Sequence, residues 1–252
     1  MEISEMLYDA AKYPLSGLKQ LLLLGFMILI SSLLLGDYNN YIYLDGSSGK
    51  ISFLVSIITL FVIGIFLFIL EAGYPFKIIE KSLSGSNKPP KLSNFRNMFK
   101  HGFYEIIIAA VYFLVPIFTF LVILDYAFSQ ITLGLPAISD EIAILMLIAV
   151  ILLGFIADII FTVAIPHMAS KGGSLRDAFR LGEIFRKIKK IGLKKLIIGY
   201  LIVILGVVVI GGPILKEIIG STNIFGFVIA EELIAPYIVM FSARFSALIY
   251  ME

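Results

Sequence analysis

Cysteine is absent from the 252 residues, and charged residues are scarce at 15%. Without cysteine the chain has no disulfide, no thiolate nucleophile and no cysteine-ligated zinc. Soluble domains are roughly a quarter charged and about half apolar, whereas this chain is 60% apolar and has a mean hydropathy of +1.01. A soluble globular fold is therefore excluded, and the composition predicts an integral membrane protein.

Six apolar stretches are long enough to span a membrane, since about 20 apolar residues in a helix cross a hydrocarbon core of roughly 30 Å. They lack the in–out alternation of barrel strands, so we predict an all-α polytopic membrane protein with a single transmembrane domain over residues 1–252. Pro116 and Pro213 lie inside two of these stretches and are expected to kink those helices. The predicted spans are Leu18–Leu35, Ile51–Tyr74, Phe103–Leu124, Ile142–Ile165, Leu196–Leu215 and Ile224–Tyr250.

The positive charges lie almost entirely on one side of these spans. Of the 20 Lys and Arg residues, only Lys50 and Lys216 fall on the other side. Because cytoplasmic loops of membrane proteins carry the excess of Lys and Arg, we predict a multi-pass cell-membrane protein with both termini in the cytoplasm.

A weak internal repeat links the middle and the end of the chain. Residues 95–108 align with 185–198 at an offset of 90 positions, and Pro75 and Pro166 stand 91 positions apart where the second and fourth spans are expected to end. We interpret the pattern as three parallel-repeat helical hairpins, each preceded by a cytoplasmic amphipathic elbow. The hairpins cover roughly 8–85, 92–174 and 182–252.

One of the elbows, Ser174 to Lys190, has the spacing of an amphipathic helix, with Ser174 and Asp177 placed as a capping box. Its cations suit anionic lipid headgroups, although they also serve to set the topology. Nucleic acid is not expected as a partner, while a partner protein or a second copy of the chain remains open. The candidate headgroup-binding residues are Arg176, Arg180, Arg186, Lys187 and Lys190, with Arg96 and Lys100 in the second loop.

Ionisable residues inside the hydrocarbon are the default functional candidates of a membrane protein. Here these are Asp158 in the fourth span and Glu231, Glu232 and Arg244 in the sixth. The depths of the residues favour an ion pair between Asp158 and Arg244 as a structural tether, with a proton or cation pathway as the alternative.

Metal and enzyme sites have little support. His101 and His167 fall at helix ends without neighbouring carboxylates at ligand spacing, so we expect interface anchoring rather than a metal site, and no cofactor. The chain contains no nucleophile elbow, no zinc-protease motif and no phosphate-binding loop, so it supports no enzyme class.

Three segments resemble a known family: Glu71–Tyr74, the run from Gly85 to Gly102, and Ser174–Phe179. They are similar to multi-pass membrane proteins of methanogenic archaea catalogued as domain of unknown function 4013. The resemblance implies six helices in an archaeal cell membrane and carries no catalytic or binding residues over to this chain.

Two functions follow as expectations. The first is a non-enzymatic, lipid-facing scaffold or accessory membrane subunit. The second is a small permease or lipid/solute transporter that uses Asp158 and the proline-kinked helices. A polar cavity reaching Asp158 would distinguish the second function from the first.

Overall fold

The computed structural model describes residues 2–35, 50–133, 139–205 and 224–252, and every regular element in these ranges is helical. A π-helical segment covers Ala230–Ile234, and short 3₁₀ helices cover Pro14–Gly17 and Leu175–Phe179. The α-helices are α1 Ile3–Lys12, α2 Leu18–Leu35, α3 Lys50–Leu83, α4 Phe95–Tyr112, α5 Leu114–Leu133, α6 Asp140–Ser170, α7 Leu181–Ile191, α8 Leu193–Leu205, α9 Ile224–Ile229 and α10 Ala235–Met251.

Four helical stretches of the described residues are long and apolar enough to cross a membrane, and a bent pair of helices provides a fifth candidate. The expectation of an all-α membrane protein is confirmed at this level. Six spans and three hairpins stay predictions, because the predicted span Leu196–Leu215 lies partly outside the described residues. The four stretches are Ile3–Leu35, Ile58–Leu83, Glu141–Ser170 and Gly226–Met251.

The bent pair consists of α4 and α5, which meet at Phe113 with an angle of 57°. Pro116 explains the bend, because it has no N–H to donate to the Tyr112 carbonyl and its ring crowds that carbonyl. The predicted kink at Pro116 is confirmed, and Pro213 lies outside the described residues.

Pro75 and Pro166 do not end their helices, contrary to expectation. Both lie inside continuous helices that run on to Leu83 and Ser170. Each proline removes one backbone hydrogen bond, and membrane helices tolerate this loss where neighbouring helices pack against the site. Both helices therefore extend beyond the predicted spans Ile51–Tyr74 and Ile142–Ile165.

Two glycines bring α3 and α4 into backbone contact. A Cβ atom on Gly73 would overlap the Met98 carbonyl, and one on Gly102 would overlap the Ile69 carbonyl. Small residues let membrane helices approach this closely. The crossing determines which side chains of α4 face α3.

The predicted amphipathic helix from Ser174 to Lys190 is divided in the structure. It starts as the 3₁₀ helix Leu175–Phe179, leaves helical geometry at Arg180 and resumes as α7. The Ser174 side chain makes no capping hydrogen bond, and the buried Asp177 carboxylate instead pairs with Arg180 at 3.0 Å. The buried face of α7 consists of Ile184, Ile188 and Ile191.

The buried core lies near one end of the bundle, which we call the basic end. This end comprises α1, the 84–94 connection, the 171–180 connection and α7. Away from the basic end, large apolar side chains of α5 and α6 such as Phe118 (67% exposed) and Leu145 (65% exposed) face outward. Such exposure is expected where lipid takes the place of water.

Candidate functional site

Arg244 is buried and bound by α1 and the 84–94 connection. Its Nε and Nη2 donate to the two carboxylate oxygens of Asp9 at 2.6 and 3.2 Å. Nη1 donates to the Ser86 carbonyl at 2.8 Å, and Nη2 also donates to Asn87 Oδ1 at 2.9 Å. These bonds occupy the guanidinium, so the predicted Asp158–Arg244 tether is wrong.

Asp158 instead lines a cavity of about 310 Å³, and Glu105 shares it. The walls come from five helices, α3, α4, α6, α8 and α10. Asp158 lies 12 residues before the end of α6, a depth of roughly 18 Å at the helical rise. Along α6, the cavity therefore lies in the half of the helix nearer the basic end. Its polar lining includes Glu105, Asp158, Thr162, Tyr200, Ser242 and Ser246.

Helical spacing explains how polar groups gather on the cavity walls. Asp158 and Thr162 are four positions apart on α6, as Ser242 and Ser246 are on α10, so each pair shares one helix face. Pro166 lacks the N–H that would bond the Thr162 carbonyl, so this carbonyl is left without its helical donor beside the cavity.

The electrostatics of the cavity are one-sided. Among the described residues that line it, the acidic side chains are Glu105 and Asp158, and there is no Lys, Arg or His. Glu105 Oε2 is buried and has no hydrogen-bond partner within the described part of the chain. A buried carboxylate without a partner is unstable unless a proton or another cation neutralises it. The cavity can therefore hold protons or a cation.

The rest of the lining is mostly apolar, and the cavity walls as a whole include three aromatic rings, Phe161, Tyr200 and Phe245. Aromatic faces attract cations, and this attraction strengthens when the ligand is desolvated. Carboxylates combined with aromatic walls suit an organic cation with an apolar body better than a small hydrated metal ion.

Glu231 and Glu232, the two glutamates predicted as candidates in the sixth span, do not line the cavity. Glu231 Oε2 accepts a hydrogen bond from Ser32 at 3.2 Å, and the Glu232 backbone packs against Gly25. Glu71 accepts from Ser31 at 3.0 Å and lies close enough to Glu231 for their charges to repel. These acidic residues form a separate group outside the lining of the cavity.

Sequence reasoning missed Glu71 and Glu105. Glu71 lies within the predicted second span, and Glu105 lies near the start of the third. Inspecting every acidic residue inside the apolar stretches would have found both. The pairing of Glu105 with Asp158 depends on the helix crossing and carries no sequence signal of its own.

The headgroup candidates differ in how far their charges are already engaged. Arg180 binds Asp177 at 3.0 Å and Glu183 at 3.2 Å, and Lys187 lies over the Tyr250 ring at 4.7 Å. Lys100 lies over the Tyr104 ring at 5.4 Å. Arg96, Arg176, Arg186 and Lys190 are exposed, as are Lys100 and Arg180, whereas Lys187 is partly buried.

Both histidines are buried rather than exposed at the interface. His101 Nδ1 lies 3.0 Å from the Asn97 carbonyl, and its ring stacks on Phe76 at 3.9 Å. His167 Nδ1 lies 2.9 Å from the Tyr250 hydroxyl, and its Nε2 lies 3.3 Å from Glu183. The expectation of interface anchors is wrong because the connections at the basic end cover both rings.

At the basic end, the Glu183 carboxylate lies within ion-pair distance of Lys171 and Arg180 and beside His167. Partial desolvation raises the pKa of its carboxyl, but the Lys171 ammonium and the Arg180 guanidinium outweigh this effect and hold the pKa below its usual value. Glu183 therefore stays ionised and acts as a fixed anion beside His167. No group of three His, Asp or Glu suited to a metal ion occurs among the described residues.

Residues 56–216 match the family described as Protein of unknown function (DUF4013). The chain belongs to the DUF4013 family. The match covers Glu105 and Asp158 but leaves α1, α2 and the α10 wall of the cavity outside it. Comparisons with curated proteins and with solved structures give no match. The archaeal source expected from the resemblance stays a prediction.

Proposed function

We propose that this DUF4013 protein is a small permease that exchanges an organic cation for protons at Glu105 and Asp158. The observation that supports the proposal is the cavity of about 310 Å³ that contains both carboxyl groups within a membrane bundle. Such a cavity is the feature that distinguishes the permease from the scaffold. We further propose that the basic end faces the cytoplasm of the cell.

Exchange follows from the cost of burying charge. An empty cavity is most stable when protons neutralise its carboxyl groups, because an ionised carboxylate is poorly solvated there. A bound organic cation supplies the same neutralisation and displaces a proton. Binding one species therefore weakens binding of the other, as antiport requires.

The cavity also limits the size of the ligand. Pockets for small molecules occupy about 300–1,000 Å³, so the volume of about 310 Å³ lies at the lower limit. Phe161 and Phe245 provide apolar and aromatic contacts for the body of the ligand. A monocation of the size of benzyltrimethylammonium matches this environment.

Uptake into proteoliposomes tests the proposal. Radiolabelled benzyltrimethylammonium is a suitable probe because it has a permanent charge and no titratable proton. We expect an outward proton gradient to drive uptake by the wild-type protein. Asp158→Asn should reduce this uptake at least tenfold, because the amide cannot ionise. Glu232→Gln removes a carboxylate outside the cavity and should leave uptake unchanged.

Two results would contradict the permease. One is uptake by the wild-type protein no faster than by protein-free vesicles. The other is equal uptake by the wild-type protein and Asp158→Asn with a folded variant. Either result would favour the scaffold function over the permease.

Binding of anionic lipid is a second candidate function, favoured by a groove between α2 and α3. The groove has a volume of about 470 Å³ and an almost entirely apolar lining, which fits an acyl chain. Lys91 and Arg96 are exposed and flank Leu92 and Phe95, which line one part of the groove. The apolar lining includes Phe26, Met27, Phe66, Leu70, Leu92 and Phe95.

Native mass spectrometry tests this second function with dioleoylphosphatidylglycerol and dioleoylphosphatidylcholine as probes. We expect the anionic lipid to bind more tightly, and the pair Lys91→Gln and Arg96→Gln to remove that preference. The matched control is the pair Lys81→Gln and Lys88→Gln, which makes the same change in charge away from the groove lining. Equal lipid binding by both variants would show that the site has no headgroup selectivity.

A further inference from the structure

We infer that Phe161, Tyr200 and Phe245 form an aromatic cage that holds the ammonium group of the ligand and selects quaternary over primary ammonium ions. The inference rests on the proposed permease, because it names the chemical class of cation that the same cavity binds. All three rings line the cavity that Glu105 and Asp158 share.

The rings of the cage come from three different helices around the cavity. Phe161 belongs to α6, Tyr200 to α8 and Phe245 to α10. Phe161 and Asp158 are three positions apart on α6, so they lie on one face of the helix. A cation that binds the Asp158 carboxylate is therefore close to a ring of the cage.

Two rings of the cage pack against aromatic residues that do not line the cavity. Phe113, between α4 and α5, contacts Phe161 with the ring centroids 6.0 Å apart and an interplanar angle of 65°. Phe155 of α6 contacts Tyr200 in the same way, at 6.0 Å and 69°. Such edge-to-face pairs are favourable because the positive edge of one ring meets the negative face of the other. They restrict rotation of the cavity rings, so the cage is preorganised for its ligand.

A glycine makes room for the third ring. Phe245 is buried, and its Cζ atom lies 2.9 Å from the position that a Cβ atom on Gly199 would occupy. A larger residue at this position would have to displace the ring. Phe241, one turn earlier on α10, stacks on Phe245 at 6.3 Å. The Phe245 ring therefore lies directly against the backbone of α8, next to the residue that precedes Tyr200.

The cage favours a quaternary ammonium ion because of how such an ion carries its charge. The charge is spread over the alkyl groups, and no N–H donor is left without an acceptor when water is removed. The negative faces of aromatic rings attract this charge, and the attraction is stronger in a desolvated site. A primary ammonium ion is a compact, strongly hydrated charge, so it loses more hydration on entering a mostly apolar cavity.

The carboxyl groups and the cage have separate roles. Carboxylates bind primary ammonium ions well, because each N–H can donate to an oxygen. Glu105 and Asp158 therefore supply negative charge without a preference for the quaternary ion. The preference comes from the rings, so weakening the rings should affect binding of a quaternary ion more than binding of a primary one.

Stepwise fluorination of the cage tests the inference. Fluorine withdraws electron density from the face of a ring and changes its size little, so mono-, di- and trifluorinated phenylalanine weaken cation–π attraction in steps. The fluorinated residues are introduced at Phe161 or Phe245 by stop-codon suppression. The readout is equilibrium binding of radiolabelled benzyltrimethylammonium to the protein in nanodiscs.

We expect the dissociation constant of benzyltrimethylammonium to rise with each added fluorine, by about tenfold in total for the trifluorinated ring. A residue that only packs would not produce this graded series, because the shape of its side chain is nearly constant. A flat series at both Phe161 and Phe245 would overturn the cage.

Phe179 provides the matched control. Its ring packs against Tyr112 with the centroids 5.8 Å apart, but it does not line the cavity. The same fluorinated residues at Phe179 should leave the dissociation constant unchanged. An equal rise at Phe179 would contradict the cage, because it would show that fluorination acts through the fold.

Tyr200 tests the cage with natural amino acids. Tyr200→Phe keeps a ring and should retain binding of benzyltrimethylammonium, whereas Tyr200→Leu should weaken binding by about tenfold. Binding of benzylammonium, the primary analogue, should weaken less in Tyr200→Leu. An equal loss of affinity for both cations would contradict selection by the cage.

Binding is measured without a proton gradient, so it separates the cage from the permease. A graded fluorination series, with no uptake of benzyltrimethylammonium into proteoliposomes, would support the cage and reject the permease. Uptake by the wild-type protein, with flat series at Phe161 and Phe245, would reject the cage and keep the permease. Absence of benzyltrimethylammonium binding by the wild-type protein would overturn both.

Discussion

Gly73 and Gly102 bring the backbones of α3 and α4 into contact, and this crossing brings Glu105 of α4 to the same cavity as Pro75 of α3. Because neither glycine has a side chain, α4 lies closer to α3 than any other residue would permit. The position of a charged group in the candidate site thus depends on two residues that carry no chemistry.

The first prediction concerns this crossing. Gly102→Ala should destabilise the protein by about 3 kcal/mol or more, because its Cβ atom overlaps the backbone of α3 at Ile69. Thermal unfolding in detergent, followed by circular dichroism, measures the change. Gly154→Ala is the control, since its Cβ atom meets nothing within 4 Å and alanine favours the helix. Equal melting temperatures for the two variants would contradict close contact at Gly102.

The second prediction concerns the Asp9–Arg244 pair. Asp9→Asn should lower the unfolding free energy by about 1–3 kcal/mol, because Arg244 is buried and loses its counter-charge, while Asp9 is partly exposed and so the effect is moderated. Arg244→Gln should destabilise more, since it also frees Ser86 and Asn87. Chemical unfolding of both variants and of the double variant measures their coupling.

The coupling should be confined to this pair. Asp158→Asn combined with Arg244→Gln should give additive effects, because the guanidinium binds Asp9 rather than Asp158. A double-mutant cycle that couples Asp158 to Arg244 but not Asp9 to Arg244 would contradict the structure.

The third prediction concerns orientation. The chain has no cysteine, so single cysteines introduced into it report without background labelling. We expect Ser139→Cys, at the end opposite to the basic end, to react with an impermeant maleimide in intact cells. Ser84→Cys, at the basic end, should react only after lysis. Labelling of Ser84→Cys in intact cells would reverse the proposed orientation.

Features that depend on local sequence were predictable. The apolar stretches identify the helices because hydropathy acts over about 20 neighbouring residues. The bend before Pro116 was predictable for a similar reason, since a proline disturbs only its own turn. The same local reasoning ended helices too early at Pro75 and Pro166, because packing by neighbouring helices lies outside its reach.

Features that depend on tertiary contacts were not predictable. Asp9 and Arg244 are 235 positions apart, and the local sequence around Asp9 gives no sign that it lies beside a buried guanidinium. The break in helical geometry at Arg180, which pairs with the buried Asp177, likewise has no signal in the helical spacing of the sequence. Asp158 was identified from the sequence as a buried charge, but its partner in the cavity, Glu105, was not.

Isothermal titration calorimetry of benzyltrimethylammonium binding is the most direct test of proton-coupled cation binding in the cavity. Repeating the titration in buffers of different ionisation enthalpy gives the number of protons released. Linkage predicts release of about one proton per bound cation by the wild-type protein near neutral pH. Asp158→Asn with Glu105→Gln should abolish binding, and Glu232→Gln should preserve both binding and proton release. Binding with no proton release, or binding that persists in the Asp158→Asn and Glu105→Gln double variant, would contradict the account.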